Sequence, residues 1–361
     1  MKKIPLRLQR ILDRARWAPS GDNTQPWRFE VLGEDHVLVH GYDTRDRVVY
    51  DLDGHASQLA VGGLLETIQI AASAESCLTY VTRRPATPDT HLQFDVRFKA
   101  EKTISPDPLS PFIEKRVVQR RPMSTHPLNE EQKADLAKSM PAGYEVQWFE
   151  GIAQRWRLAK LTFDNAKVRL IIPEAYEVHK SVIEWGRQYS TDKIPAEAVG
   201  VDAVTARFMR WVMTDWKRVN FFNTWLMGHL PPRIQLDLLP GMACAGHFAL
   251  FAPSPLLGVD DYLASGRAMQ RFWLTATRLG LFIQPEMTPL IFSRYCRQGI
   301  RFTRVDKALE IVNSLNARLI GILDGRNPDT LFFMGRLGFG PAPQSRSTRQ
   351  SLDRLMVDFE L

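Results

Sequence analysis

The chain has 361 residues, of which 44% are hydrophobic and 24% charged, and this balance excludes a disordered or collagen-like chain. The formal net charge of +7 favours anionic partners, namely nucleic acid, acidic lipid or a phosphorylated cofactor, although the basic residues are scattered. The three cysteines lack any metal-ligand spacing, which excludes structural zinc and iron–sulfur sites, so no metal is expected. No run of about 18 apolar residues predicts a membrane span.

The first third of the chain predicts a helix, a polar turn, strands and a second helix. Residues 5–18 place apolar side chains at helical spacing, and residues 57–74 form a nearly all-apolar helix around Gly62-Gly63. Alternating polarity predicts strands at residues 27–32, 36–42, 78–82 and 92–99.

A proline-rich linker at residues 106–111 is expected to begin a second unit. Helices are predicted at residues 129–140, 155–171, 174–185 and 262–279, with a short one at the C-terminus. Strands are predicted at residues 144–149, 249–257 and 319–323. Residues 189–202 and 339–351 are expected to be loops.

Residues 205–230 combine an aromatic helical pattern with interleaved basic residues. The apolar pattern is carried by Phe208, Trp211, Val212, Trp216, Phe222, Trp225 and Leu226, and the basic residues between them are Arg207, Arg210, Lys217 and Arg218. Three interpretations remain open: a core or interface helix, a lid over a ligand pocket, and a helix that lies on a membrane surface.

The turn after the first helix concentrates side chains that form hydrogen bonds. Between Pro19 and Pro26 it carries Ser20, Asn23 and Gln25. Amides donate and accept at once, as the pyrimidine edge of a flavin requires, and prolines fix the turn before a ligand arrives. The alternative is an Asx-type turn that only links a helix to a strand.

Three further segments carry weaker signals. Residues 115–122 hold closely spaced arginines, which suit a phosphate dianion but also occur in solvated basic turns. Gly280 precedes Gln284 and Pro285, and glycine permits close backbone approach to a ligand. Residues 336–349 combine arginines with two glycines, without the strand–helix context of a dinucleotide fingerprint.

In their order along the chain, these segments resemble the nitroreductase superfamily, most closely its fused, Acg-like FMN-binding branch. Residues 18–27 are similar to the superfamily's Ala-Pro-Ser…Asn-x-Gln-Pro-Trp segment, and residues 116–122 to its Arg-x-Ser-x-Arg/Lys segment. Residues 177–195, 266–281 and 336–349 extend the likeness over nearly the whole chain.

The resemblance implies an α+β, nitroreductase-like fold that binds one FMN. The implied cofactor contacts are Ser20, Asn23, Gln25, Arg116, Gln119, Arg120, Gln284, Pro285, Arg346 and Arg349. The first three would line the flavin. Arg116 would meet the phosphate with Arg346 or Arg349, and Arg120 would face the pyrimidine edge near N1 and O2.

The remaining implied contacts lie at the reactive edge and beside the phosphate. Gln284 and Pro285 would lie beside N5, where electron transfer takes place. Val118 stands where the family has Ser or Thr, so one hydroxyl donor is missing, and Gln119 is expected to compensate. No catalytic acid, base or nucleophile is expected, because the cofactor carries the chemistry.

The two halves of the chain are complementary in what they lack. The first half has the Pro-Ser-Asn turn but lacks the arginine segment. The second half has the arginine segment but lacks the turn. We therefore expect an internal tandem pseudo-dimer of two mixed or antiparallel sheets with packed helices. Its halves would be residues 1–105 and 106–361, the second interrupted by an inserted aromatic helical segment at about residues 186–240.

The leading functional hypothesis is an FMN-dependent NAD(P)H oxidoreductase that reduces a small-molecule electron acceptor. The alternatives are a flavin-sequestering protein with lid-covered FMN and no turnover, and a non-flavin protein that binds nucleic acid or a membrane surface. With the first hypothesis, neither nucleic acid nor a membrane is expected as a partner, and either a monomer or a homodimer is allowed. The sparse cysteines and the lack of an apolar leader favour a cytoplasmic location.

Overall fold

The computed structural model describes residues 4–225 and 228–357, which form an α+β fold with two four-stranded antiparallel sheets. The strands are β1 Trp27–Val31, β2 His36–Tyr42, β3 Cys77–Arg83, β4 His91–Ala100, β5 Glu145–Phe149, β6 Ile183–Glu184, β7 Tyr189–Ser190, β8 Ile194–Pro195, β9 Gly246–Phe251, β10 Phe282–Pro285, β11 Leu331–Gly338 and β12 Arg346–Ser347.

The helices account for most of the remaining described chain. They are α1 Leu6–Ala15, α2 His55–Ser73, α3 Glu130–Lys138, α4 Gly151–Ile171, α5 Pro173–Val182, α6 Ala203–Val212, α7 Trp216–Trp225, α8 Leu230–Arg233, α9 Leu239–Met242, α10 Val259–Arg278, α11 Thr288–Gln298, α12 Asp306–Ile322 and α13 Leu352–Leu355. A π-helical turn, Ile234–Leu238, joins α8 to α9.

The two sheets have the same strand order. The first is β1-β2-β4-β3 with α2 between its second and third strands along the chain, and the second is β5-β9-β11-β10 with α10 in the corresponding place. All neighbouring pairs in both sheets are antiparallel. Each sheet therefore presents one face to a long helix, which buries the apolar side of both.

The helices α2 and α10 pack against each other through glycines. A Cβ built on Gly62 would lie 3.0 Å from Gly266 Cα, and a Cβ built on Gly266 would lie 3.0 Å from Gly62 Cα. Each would also collide with a carbonyl oxygen three residues before the opposite glycine, at Leu263 and Leu59 respectively. Only glycine allows two helix backbones to approach this closely.

The segment between α5 and β9 is an insertion of short strands and helices. The predicted aromatic helix at residues 205–230 is divided here into α6 and α7, and its residues 226 and 227 lie outside the described residues. Only Val212 is buried in α6 and only Val219 in α7, so neither is a core helix, whereas the interface, lid and membrane-surface interpretations stay predictions. Exposed polar and aromatic residues dominate both helices.

Most predicted elements are present with shifted ends, but the strand predicted at residues 319–323 was wrong. These residues belong to the end of α12, since a short apolar run does not distinguish a strand from a buried helical turn. The strand β11 was not predicted, because it is buried on both faces and shows no alternation. The strand predicted at residues 249–257 begins and ends earlier, as β9, ahead of Pro253.

Candidate functional site

The loop between α1 and β1 has an unusual backbone. Asp22, Asn23 and Gln25 have positive φ angles of 49°, 61° and 47°, a region that non-glycine residues rarely adopt. The hydroxyl of Ser20 accepts a hydrogen bond of 3.0 Å from the backbone N–H of Gln25, which closes the turn. Such backbone strain persists only where surrounding contacts enforce it, and it is concentrated at functional sites.

The amide side chains of this loop hold the inserted segment and the C-terminal segment. Gln25 Nε2 donates to Thr191 O at 2.8 Å, and Gln25 Oε1 accepts from Gln350 N at 2.9 Å. Asn23 Nδ2 lies 3.2 Å from Thr348 O, while its buried Oδ1 has no partner. In this arrangement the predicted flavin-lining amides are largely engaged with the protein backbone.

Three arginines from two separate segments meet beside this loop, next to Trp17. The guanidinium groups of Arg346 and Arg349 lie 5.0 Å and 5.9 Å from the centroid of the Trp17 ring. Arg116 donates to Trp17 O at 2.9 Å, and Arg349 donates twice to Ala18 O. Arg346 lies 3.3 Å from the carbonyl oxygen of Arg116. We call Arg116, Arg346 and Arg349 the arginine cluster.

The arginine cluster has no acidic partner within ion-pair distance in the described parts of the chain. Every hydrogen bond that these side chains donate ends on a backbone carbonyl. The Nε atoms of Arg116 and Arg346 are buried and have no partner. Buried charges are normally paired, so three guanidinium groups without a carboxylate partner are suited to an anionic ligand.

The pKa values of the cluster report the same excess of positive charge. Burial and the neighbouring Arg346 and Arg349 hold the pKa of Arg116 well below its ordinary value. Burial, with repulsion from Arg346 and Arg16, lowers the pKa of Arg349 to about 9. Burial also lowers the pKa of Arg346, against the attraction of Glu114. A phosphate dianion offers the acceptors and the charge that this cluster lacks.

The other predicted contacts lie on the adjoining strand edge. Gln119 N donates to Ile283 O at 3.2 Å, which joins the arginine segment to β10. The Gln119 side chain donates to Pro341 O at 2.9 Å and accepts from Arg121 N at 3.1 Å, so both ends of its amide are engaged. It therefore fixes the loop after β11 and leaves the missing hydroxyl of Val118 uncompensated in this arrangement.

Arg120 and Gln284 lie where the inserted segment meets this strand edge. Arg120 Nη1 donates to Ala198 O at 3.1 Å, and Arg120 O accepts from Arg336 Nη2 at 2.9 Å. Gln284 donates to Pro285 O at 2.8 Å, whereas its buried Oε1 has no partner. The inserted segment therefore covers Arg120, and Gln284 retains an unused acceptor.

Behind the strained loop lies a group of buried ionisable side chains. Tyr50 Oη is 2.9 Å from His179 Nε2. Burial and the charge of Arg169 lower the pKa of His179 to about 3, so the imidazole is neutral. Burial raises the pKa of Asp22 despite the attraction of Arg120 and Arg169. These groups combine a neutral Tyr–His pair with positive potential next to the loop.

The open space at the loop is small. A cavity of about 50 Å³ is lined by residues of the loop, of the segment before α2 and of the start of α2, including Asp22, Tyr50 and Ser57. Pockets for drug-sized ligands, the size class of an isoalloxazine with its ribityl chain, occupy about 300 Å³ or more. This cavity is therefore too small to hold a flavin ring.

The similarity of this chain to known proteins is distant. No family model matches the chain, and no curated protein matches it significantly. It is similar to the solved structure of a nitroreductase-like family protein from Bacillus cereus, with 10% identity over 70% of this chain and 97% of that one and a TM-score of 0.35. It is also similar to the solved structure of an FMN-dependent nitroreductase from Mycobacterium smegmatis in complex with NADPH. The identity is 14% over 69% of this chain and 96% of that one, and the TM-score is 0.37. TM-scores of this size do not assign the chain to a family.

One buried network was not predicted from the sequence. His247 Nδ1 lies 2.8 Å from Glu286 Oε2, and His247 Nε2 lies 2.8 Å from Gly241 O, so both ring nitrogens face acceptors. Glu286 Oε1 accepts from Arg336 Nη1 at 2.9 Å. This network fixes the arginine that holds Arg120 O. Its only signal in the sequence is Arg336 within an otherwise apolar run.

Proposed function

We propose that the chain is an FMN-binding, nitroreductase-like oxidoreductase. The observation that carries this proposal is the convergence of four separate segments, which include the loop at Asn23 and the arginine cluster. These are the segments whose order in the sequence resembles the nitroreductase superfamily. The convergence supports an anionic ligand such as a phosphate ester, and the resemblance supports a flavin as its carrier.

The cluster would bind the FMN phosphate. Arg116, Arg346 and Arg349 would each donate a charge-assisted hydrogen bond to a phosphate oxygen. The donors would be guanidinium N–H groups that now are unpaired or bond a backbone carbonyl. Asn23 Oδ1 and Gln284 Oε1, both buried without partners, would accept from ring donors. Arg120 would stabilise negative charge at the pyrimidine edge.

When bound, FMN supplies hydride and electron transfer at N5. The protein contributes binding, orientation and exclusion of water. We further infer that NAD(P)H is the reductant and that a small molecule is the electron acceptor. The chain would act in the cytoplasm as a monomer or homodimer.

We also infer that the molecule is a tandem pseudo-dimer divided near residue 105. The shared strand order of the two sheets and the reciprocal contact of Gly62 and Gly266 support this inference. Contacts that are reciprocal about a local twofold axis are typical of dimer interfaces. A pseudo-dimer would also explain why the loop at Asn23 lies in the first half and the whole arginine cluster in the second.

The first test is the visible spectrum of the purified protein after incubation with FMN and removal of free ligand. We expect bound flavin with absorption near 450 nm, a property of the cofactor. Loss of all flavin on a desalting column, at concentrations where a flavoprotein control retains it, would contradict the proposal.

The second candidate function is flavin sequestration without turnover. It is favoured by the small cavity and by the inserted segment, whose Ala198 and Gly200 lie against Arg120. A covered flavin would be shielded from a nicotinamide donor. Anaerobic addition of NADPH to the FMN complex separates the candidates: rapid bleaching supports the enzyme, and persistent colour supports sequestration.

A further inference from the structure

The outer surface of the inserted segment carries exposed aromatic rings, four of which are in contact. Phe208, Trp211 and Phe221 are 44%, 50% and 53% exposed, and Trp225 is 74% exposed. Phe222 links three of them, with ring centroids 5.2 Å from Phe208, 5.7 Å from Trp211 and 5.7 Å from Phe221. We call these five residues the aromatic patch. Exposed apolar surface of this kind marks an interaction site.

The spacing places the patch on the outward faces of both helices. Val204, Phe208 and Trp211 follow one another at i, i+4 and i+7 on α6, and Phe221 and Trp225 at i and i+4 on α7. Val212 and Val219 are buried with Tyr176, on the side that faces the protein. Each helix therefore has an inner apolar side for folding and an outer apolar side without a partner in the described residues.

Exposed cations flank the patch. They are Arg207, Arg210, Lys217 and Arg218, and Asp215 is the only acidic residue between positions 203 and 225. The Arg218 guanidinium lies 5.1 Å from the Trp211 ring and donates to Thr214 Oγ1. None of the four cations forms an ion pair within residues 4–225 and 228–357. Their charge is therefore available to an external anion.

We propose that α6 and α7 bind the surface of an anionic phospholipid bilayer. Short helices with an apolar face, flanking cations and tryptophan at the boundary are suited to the headgroup region. Within the described residues, no helix is long and apolar enough to cross a bilayer. The two helices therefore lie along the lipid surface. This proposal does not depend on flavin binding, because it uses none of the residues of the arginine cluster.

Two other occupants fit the observations less well. A second copy of the chain on a self-complementary face would oppose four cations with four identical cations. Nucleic acid would use the cations and could stack on the rings, but Val204, which is 76% exposed, offers no stacking surface. An anionic bilayer satisfies both the charge and the aliphatic surface.

The test is co-sedimentation of the full chain with large unilamellar vesicles, monitored with tryptophan fluorescence. We expect at least ~10-fold stronger partition onto vesicles of phosphatidylglycerol and phosphatidylcholine than onto phosphatidylcholine alone. The tryptophan emission should shift to the blue, and binding should weaken as the salt concentration rises.

Matched variants assign the binding to the patch. Phe221→Ser with Trp225→Ala should reduce vesicle binding at least ~10-fold, and Lys217→Glu with Arg218→Glu should abolish the preference for anionic lipid. Tyr80→Ala, an equally exposed aromatic on β3, and Lys99→Glu on β4 should leave binding unchanged. Circular dichroism checks that all variants are folded.

Three outcomes would overturn the proposal. They are no binding to anionic vesicles by the folded wild type, equal loss of binding in the control variants, and a Trp225-dependent dimer or DNA complex that forms without any affinity for vesicles.

Discussion

Gly62 and Gly266 lie back to back where α2 crosses α10, and each leaves room for the backbone of the other helix. The contact is reciprocal, since a Cβ on either residue would lie 3.0 Å from the Cα of its counterpart. The crossing also joins the two sheets, because α2 packs on the first sheet and α10 on the second. The position of the loop at Asn23 relative to the arginine cluster thus depends on this contact.

Gly62→Ala should therefore destabilise the protein strongly. The added methyl collides with the Leu263 backbone, which cannot rotate away as a side chain can, and overpacking of this kind costs about 1–3 kcal/mol or more. Gly63→Ala is the matched control, because its Cβ would lie 3.4 Å from the flexible end of Met269. Urea unfolding compares the two, and equal free energies of unfolding would refute the close crossing.

Arg116→Gln should separate ligand affinity from stability. We expect FMN affinity to fall about 10- to 100-fold, because one charge-assisted hydrogen bond is lost. The free energy of unfolding of the ligand-free protein should fall by no more than about 1 kcal/mol, since removal of a buried unpaired charge offsets the lost bond to Trp17 O. Calorimetric titration and urea unfolding measure the two quantities.

The control for Arg116→Gln is Arg155→Gln. Arg155 also donates to backbone carbonyls, those of Met242 and Cys244, but lies outside the cluster. The Arg155→Gln variant should be less stable than the wild type but should bind FMN with the same affinity. If Arg116→Gln unfolds the ligand-free protein and leaves FMN affinity intact, the cluster is only a structural support for the loop.

Gln25→Ala should loosen the inserted segment. Removal of this side chain leaves Thr191 O and Gln350 N without their partners, at a cost of about 1–3 kcal/mol. Limited proteolysis near Arg187 and Lys193 should accelerate about 10-fold, because cleavage follows local opening. Thr24→Ala is the control, since its hydroxyl bonds only Gly21 O within the turn. Unchanged cleavage in Gln25→Ala would contradict the anchoring role.

His247→Gln should lower stability in a pH-dependent way. Burial alone would lower the pKa of His247, but the Glu286 carboxylate outweighs it and raises this pKa to about 10. The stabilisation is thus complete below the unfolded pKa of about 6.5 and is lost as the pH rises through about 10.

The urea-unfolding difference between wild type and His247→Gln should reach about 3 kcal/mol at pH 6 and shrink towards pH 10. Arg278→Gln, which removes an exposed ion pair with Asp135, should show a small difference with little pH dependence. A difference for His247→Gln that is constant from pH 6 to 10 would mean that His247 is not charged.

Local patterns predicted most of the helices and strands, whereas burial and pairing across the chain decided the rest. The alternation in β4 and the apolar periodicity of α1 are visible in the sequence. The strand β11 is not, because it is buried on both sides and its residues Phe332 and Met334 show no polar alternate. Apolar runs of this length are equally typical of a helical turn, which explains the error at residues 319–323.

The candidate site divides in the same way. The arginine segment was visible as a cluster of like charges, and the convergence of Arg116 with Arg349, more than two hundred residues later, followed only from the resemblance. The use of Gln25 and Gln119 as backbone anchors could not be predicted, because their partners come from distant loops. The His247–Glu286 pair lacked any local pattern, since His247 lies on β9 and Glu286 directly after β10.

The most direct measurement compares the affinities of FMN and riboflavin for the ligand-free protein in the same calorimetric titration. The two ligands share the isoalloxazine and differ in the phosphate, which is the group that the arginine cluster is proposed to hold. We expect FMN to bind at least ~100-fold more tightly, because three guanidinium groups act on the phosphate. Equal affinities, or no binding of FMN, would contradict a flavin phosphate site at Arg116, Arg346 and Arg349.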